Sequence, residues 1–158
     1  MITLWDWALE AYAQPGAQPA LLALQDEHGL SVPYLLWAGW AAGAIGGRSE
    51  ACAAPAALCR AWEAGVTGPL RQARRALKQP FDGVDAAARL ALRGRIQHEE
   101  LSAERLLLET LQRIAPAGEA RGALAPALVA ATRAWGCEPA AQARAAALAD
   151  IFEVPEIC

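Results

Sequence analysis

An all-α, single-domain fold follows from three features of this 158-residue chain. Apolar residues recur at three- and four-residue spacing through most of its length, as a buried helical face requires, and no run alternates with the two-residue period of a half-buried strand. Proline, glycine and short polar residues punctuate these stretches where helix caps and stops belong. Hydrophobic residues make up 55% of the chain and charged ones 20%. At this length roughly 70% of the unfolded surface is buried on folding, so one core needs neither disulfide nor metal. The chain, residues 1–158, therefore reads as one domain, with no linker and no internal repeat.

Thr3 and Asp6 form a shortened capping box for a first helix from Leu4 to about Ala13, with Leu4, Trp5, Ala8, Leu9 and Tyr12 at helical spacing. Pro15-Gly16 breaks it, Pro19 opens a second helix through Leu21, Leu22 and Leu24, and Gly29 stops that one. Ser31 caps a third, central helix over residues 32–45, apolar on every side, in which Gly39 and Gly43 admit close neighbours. Its 14 residues rise only about 21 Å, short of the ~30 Å of a bilayer's hydrocarbon, so it is expected in the core and no membrane is expected.

Pro55 opens a fourth helix along Leu58, Trp62, Val66, Leu70 and Leu77, with a kink expected at Gly65, Gly68 and Pro69. Asp82 or Asp85 starts a long fifth helix, about residues 84–114. After a break at Ala115-Pro116-Ala117-Gly118, a sixth helix runs from Leu124 to Trp135 with Gly136 as its stop. Pro139 opens the last, which carries Ala145, Leu148 and Phe152 and which Pro155 prevents from extending. The result is a bundle of about six to seven helices.

Composition excludes several functions. With 14 Lys+Arg against 17 Asp+Glu the net charge is −3, and nucleic acid is not expected as a partner, since phosphate neutralisation needs a clustered positive excess. The first residues lack a basic segment followed by an apolar one, so no signal peptide is read and the cytoplasm is the expected compartment. Lys78 is the only lysine among many arginines, a bias that suggests a GC-rich bacterial genome. Cys52, Cys59, Cys137 and Cys158 form no CxxC pair and His28 and His98 supply no zinc spacing; Cys52 and Cys59 read as buried small hydrophobes. No G-x-S-x-G elbow or glycine-rich phosphate loop is present, and nothing calls for a cofactor.

Two constellations remain. Arg71, Arg74, Arg75 and Lys78 on the fourth helix face His98, Glu99, Glu100 and Glu104 on the fifth across a short turn. Counting back from a turn near Asp82 sets Arg71 opposite Leu92 to Arg95, which leaves Glu100 more than a turn away. A solvated or partly paired charge face is the ordinary reading. A small anionic or phosphate-containing ligand is the alternative, with Arg71, Arg74 and Arg75 as anion contacts and Glu100 and Glu104 as orienting acids. A carboxylate-bridged metal pair would need Glu-x-x-His on two helices; Arg95 stands where the glutamate would be, and no second acidic helix faces the first, so no metal is expected.

The second constellation is aromatic. Six tryptophans are many for this length, and Trp5 and Trp7 point to different sides of the first helix. Trp7, with Asp6, Glu10 and Gln14 on adjoining positions, is the first candidate for an interaction surface, and Trp5 is the second.

The segments Trp5-Asp6-Trp7-Ala8-Leu9-Glu10-Ala11-Tyr12 with Pro15-Gly16, and Leu22-Ala23-Leu24-Gln25-Asp26-Glu27-His28-Gly29 with Leu35-Leu36-Trp37, carry a resemblance. So do Pro69-Leu70-Arg71-Gln72-Ala73-Arg74-Arg75-Ala76-Leu77-Lys78 after Trp62, and Glu100-Leu101-Ser102-Ala103-Glu104. Over about residues 4–110 the chain resembles a family of small proteobacterial proteins of unknown function. The resemblance implies an all-helical cytoplasmic domain, carries no agreed activity, and favours a shared polar network of Gln25, Asp26, Arg71, Arg75, Glu100 and Glu104. The function expected first is that of a non-enzymatic helical protein that binds a protein partner or itself, as a homodimer, through an apolar, Trp-bearing face. The alternative is a ligand site, possibly catalytic, in the groove between helices four and five.

Overall fold

In the computed structural model, which describes residues 2–116 and 122–153, every described segment of regular structure is helical. Thr3 caps α1 (Leu4–Tyr12) reciprocally with Asp6: its Oγ1 accepts the Asp6 N–H at 3.1 Å and its hydroxyl donates to the Asp6 carboxylate at 2.6 Å. The second helix, α2 (Ala17–His28), begins two residues before Pro19, because Gly16 at φ 83° reverses the chain and leaves the proline in the first turn, where no N–H is needed. Ser31 caps α3 (Val32–Trp40) through the Tyr34 N–H at 3.3 Å.

The expected single helix over residues 32–45 is bent at Ala41, leaving a short α4 (Ala42–Ile45). Its glycines do admit neighbours. A Cβ on Gly39 would stand 2.6 Å from the Trp7 ring, and one on Gly122 would stand 2.5 Å from the Gly43 Cα.

The expected fourth helix is also divided. A 3₁₀ turn (Ser49–Cys52) leads into α5 (Ala53–Trp62), then a π turn (Glu63–Thr67), then α6 (Gly68–Ala76). Pro69 has no N–H to donate and its ring crowds the carbonyl four residues back, and the chain accommodates it by widening one turn, with the Gly68 N–H bonded to the Glu63 carbonyl. A Cβ on Gly68 would stand 2.5 Å from that oxygen, so the wide turn depends on glycine here.

Asp85 caps the long α7 (Ala86–Arg113) through the Ala88 N–H at 2.8 Å; α8 (Leu124–Ala134) and α9 (Pro139–Phe152) complete the fold. The two divisions raise the seven expected helices to nine α-helical segments among the described residues. Ala117 and Gly118 of the expected break, and Pro155 and Cys158 of the tail, lie outside the described residues.

The apolar α3 is central, as its sequence requires, and packs on α1, α2, α5, α7 and α8. Trp37 and Tyr34 are fully buried and stacked, their centroids 5.8 Å apart, and the Tyr34 hydroxyl donates to the Ala131 carbonyl at 2.8 Å. Cys52 and Cys59 are buried free thiols; burial pushes them up to about 11 and about 12, so at neutral pH they act as small hydrophobes. No described helix is long and apolar enough to cross a membrane. Beyond this core, α6 rests on the π turn and on α7, whose first half stands largely exposed, so the hairpin they form projects as an arm.

Candidate functional site

Two contacts fix the register of the α5–α6 strip against α7. Arg89 donates to the Leu77 carbonyl, and the Trp62 indole donates to the Ala103 carbonyl at 3.1 Å. Interpolation between them sets Arg71 opposite residues 94–95, as hairpin counting expects. Arg71 nevertheless reaches Glu100. Helical side chains lean toward their own N-terminus, and in an antiparallel pair those two leanings converge.

The outcome is a paired, partly buried ion network centred on Glu100, the paired side of the expected charge face. Glu100 is only 7% exposed. It accepts from Arg71 Nε at 3.2 Å, from Arg74 Nε at 2.5 Å and from Arg74 Nη2 at 3.5 Å. Arg71 Nη1 donates to Glu63 at 2.5 Å, and the other oxygen of Glu63 accepts from the Thr67 hydroxyl at 2.8 Å. Burial works against the Arg71 charge, but the Glu63 hydrogen bond and the surrounding carboxylates override it and raise its pKa. The π turn places both Glu63 and Thr67 in this network, a position that π turns often take at functional sites.

The network floors a cleft. Two adjoining cavities, about 560 and 300 Å³, share Gln25 and Asp26 of α2 with Arg71, Arg75 and Glu104. The larger continues along an apolar wall that includes Trp5, Leu9, Tyr12, Leu22 and Leu101. Leu9, Leu22 and Leu101 are 52%, 38% and 52% exposed, a large uncovered area for leucines. At the polar end three charged groups are uncommitted: Glu104 and Asp26 accept no side-chain hydrogen bond and Arg75 makes no ion pair with any described residue. Burial first, and the neighbouring Glu100 second, raise the Glu104 carboxyl above its ordinary value.

The five residues expected at a ligand site, Arg71, Arg74, Arg75, Glu100 and Glu104, thus all line one concavity, with Gln25 and Asp26 beside them. Arg71 and Arg74, expected as anion contacts, have their guanidinium groups turned onto Glu63 and Glu100. Lys78, His98 and Glu99 are exposed and outside the cleft. Trp5 and Trp7, expected on different sides of the first helix, are indeed separated. Trp5 edges the cleft with the Arg105 guanidinium 5.1 Å from its ring, while Trp7 meets Phe152 edge-on, centroids 5.5 Å apart, above Gly39. None of the six tryptophans is in fact exposed; Trp37 is buried and the others half-buried. No group of three or more His, Cys, Asp or Glu among the described residues is placed to hold a metal ion.

Sequence reasoning missed Glu63, Thr67 and the apolar wall. The signal for the first two was the Gly65, Gly68, Pro69 interruption, legible as a kink but not as a turn that aims Glu63 at Arg71. Residues 3–111 match the family model described as Protein of unknown function (DUF2390), a span that includes every cleft residue named above. No curated protein and no solved structure matches the chain.

Proposed function

The chain belongs to the DUF2390 family of proteins of unknown function, and we propose that its domain binds a small organic molecule in the cleft between α1, α2, α3, α6 and α7. One observation carries this reading: a cavity of about 560 Å³ joins three uncovered leucines to two uncommitted carboxylates and an uncommitted guanidinium. That volume and that mixture of an apolar lining with a few converging polar groups are those of small-molecule sites. The buried network behind the cleft serves rigidity, since Glu100, held by two arginines, fixes the floor against which a ligand would rest.

Fluorescence titration with 1-pyrenemethanol, a neutral probe that fits the cavity, tests the reading. Burying one aromatic face is worth about 5 kcal/mol, a dissociation constant in the sub-millimolar range. Saturable one-to-one binding is expected, weakened about tenfold or more in the double variant Leu22→Ala, Leu101→Ala. Both leucines are exposed, so the variant should keep its melting temperature. Undiminished binding by that variant would place the probe elsewhere and refute the proposal.

A second reading, association with a protein partner or with itself, rests on a different observation. At the tip of the arm Phe81 and Val84 are 50% and 52% exposed, and Leu90, early in α7, is 52% exposed, apolar side chains uncovered by any described residue. Sedimentation across a tenfold concentration series, comparing wild type with Phe81→Ser, Leu90→Ser, tests self-association through the tip. A monomer throughout in the wild type removes it.

A further inference from the structure

We infer that the cleft takes an amphiphilic cation, its apolar or aromatic body against Leu9, Leu22 and Leu101 and its protonated amine against Glu104. This deepens the proposed function and rests on the cleft being a ligand site. Charge accounting within the concavity carries it. Four carboxylates, Asp26, Glu63, Glu100 and Glu104, meet three guanidinium groups, Arg71, Arg74 and Arg75. Glu63 and Glu100 are consumed by Arg71 and Arg74 in a closed, neutral network. Asp26 and Glu104 then stand against Arg75 alone, one negative charge in excess.

Position decides which of these charges an entering head group meets. All three line both cavities without a described partner, but Arg75 and Asp26 are exposed whereas Glu104 is half-buried. An anionic head in the interior would meet Glu104 with Glu100 one turn behind it, and like charges in a partly dehydrated site repel strongly. An ammonium there neutralises the excess and supplies the hydrogen-bond donors that Glu104 lacks.

The groups facing Glu104 are Glu100 on its own helix, Glu63, Arg71, Arg74 and Arg75 across on the π turn and α6, and Gln25 and Asp26 on α2. Because burial and Glu100 hold the empty-site carboxyl toward its neutral form, the cation binds better as pH rises through the raised Glu104 value.

Three pyrenes of similar size and different charge form the test: 1-pyrenemethylamine, 1-pyrenemethanol and 1-pyreneacetate. The amine is expected to bind about tenfold tighter than the alcohol, the worth of one charge-assisted hydrogen bond, and the acetate weakest. In Glu104→Gln the amine should fall to the alcohol's affinity while the alcohol itself is unaffected. Since Glu104 has no described hydrogen-bond partner to lose, this variant is expected to keep the wild-type melting temperature or exceed it, and Glu99→Gln, outside the cleft, serves as control. Tightest binding of the acetate, or an amine preference that survives Glu104→Gln, overturns the cation assignment while the alcohol's binding keeps the cleft as a ligand site. Failure of all three probes to bind overturns both.

Discussion

Replacing Glu100 by glutamine removes one charge and leaves the shape of the network unchanged. Breaking a buried ion pair from one side costs about 3–5 kcal/mol when the remaining partner is wholly dehydrated. Here the side chains of Arg71 and Arg74 retain 16% and 23% of their exposure, and Arg71 keeps Glu63. The loss therefore falls toward about 2–3 kcal/mol, most of it from Arg74, whose only described ion-pair partner is Glu100. For a chain of this length that is a fall in melting temperature of about 5–10 °C. Denaturant unfolding with unchanged slope should show it, and a double-mutant cycle with Arg74→Met should return a coupling of about 1.5 kcal/mol or more. A loss below about 0.5 kcal/mol with no coupling, the behaviour of a solvated pair, would refute the network as a structural element.

Three further outcomes follow from the same geometry. Glu104→Gln should stabilise the protein modestly, by less than about 1 kcal/mol, at neutral pH and not at low pH. The folded-state value of Glu104 is raised above 4.5, so its favourable contribution is complete below about 4.5 and is lost as pH rises through the raised value; parallel stability curves for the two proteins would contradict this. Gly68→Ala should cost about 2–3 kcal/mol, because its Cβ would lie 2.5 Å from the Glu63 carbonyl oxygen. Gly65→Ala, whose Cβ meets nothing within 4 Å, should be neutral or stabilising by about 0.5 kcal/mol; equal effects of the two in denaturant unfolding would contradict the π-turn account. Trp7→Ala should cost about 3 kcal/mol by opening a void above Gly39 and beside Phe152, and a melting temperature within 1–2 °C of wild type, by the usual ~2–4 °C per kcal/mol, would return Trp7 to the surface role its neighbours on α1 suggested.

Local signals were legible wherever the physics is local. Thr3, Ser31 and Asp85 cap the helices that follow them, Gly29 and Gly136 end the helices before them in the left-handed region, and the uniformly apolar α3 lies at the centre. The seven polar residues singled out from spacing and resemblance, Gln25, Asp26, Arg71, Arg74, Arg75, Glu100 and Glu104, line one cavity because three helices bring them together. What stayed hidden depends on distances that sequence does not state. Counting placed Arg71 too far from Glu100, because it tracked Cα positions and not the opposed leaning of two long side chains. The same limit concealed that Arg71 and Arg74 are occupied by carboxylates, which turns an apparent anion site into one with a negative remainder. Trp5 and Trp7 show the point on α1: their helical angles separate them, but only the placement of Gly39, Phe152 and the cleft says which is packed and which edges the cavity.

The central claim is that the cleft is where a ligand sits, and its most direct test is a two-dimensional NMR titration of the labelled protein with 1-pyrenemethylamine. The account predicts saturable shifts centred on Gln25, Asp26, Leu36, Arg71 and Glu104, with the arm tip around Phe81 and Leu90 unmoved. Shifts centred on the arm tip, or spread without saturation, would contradict it.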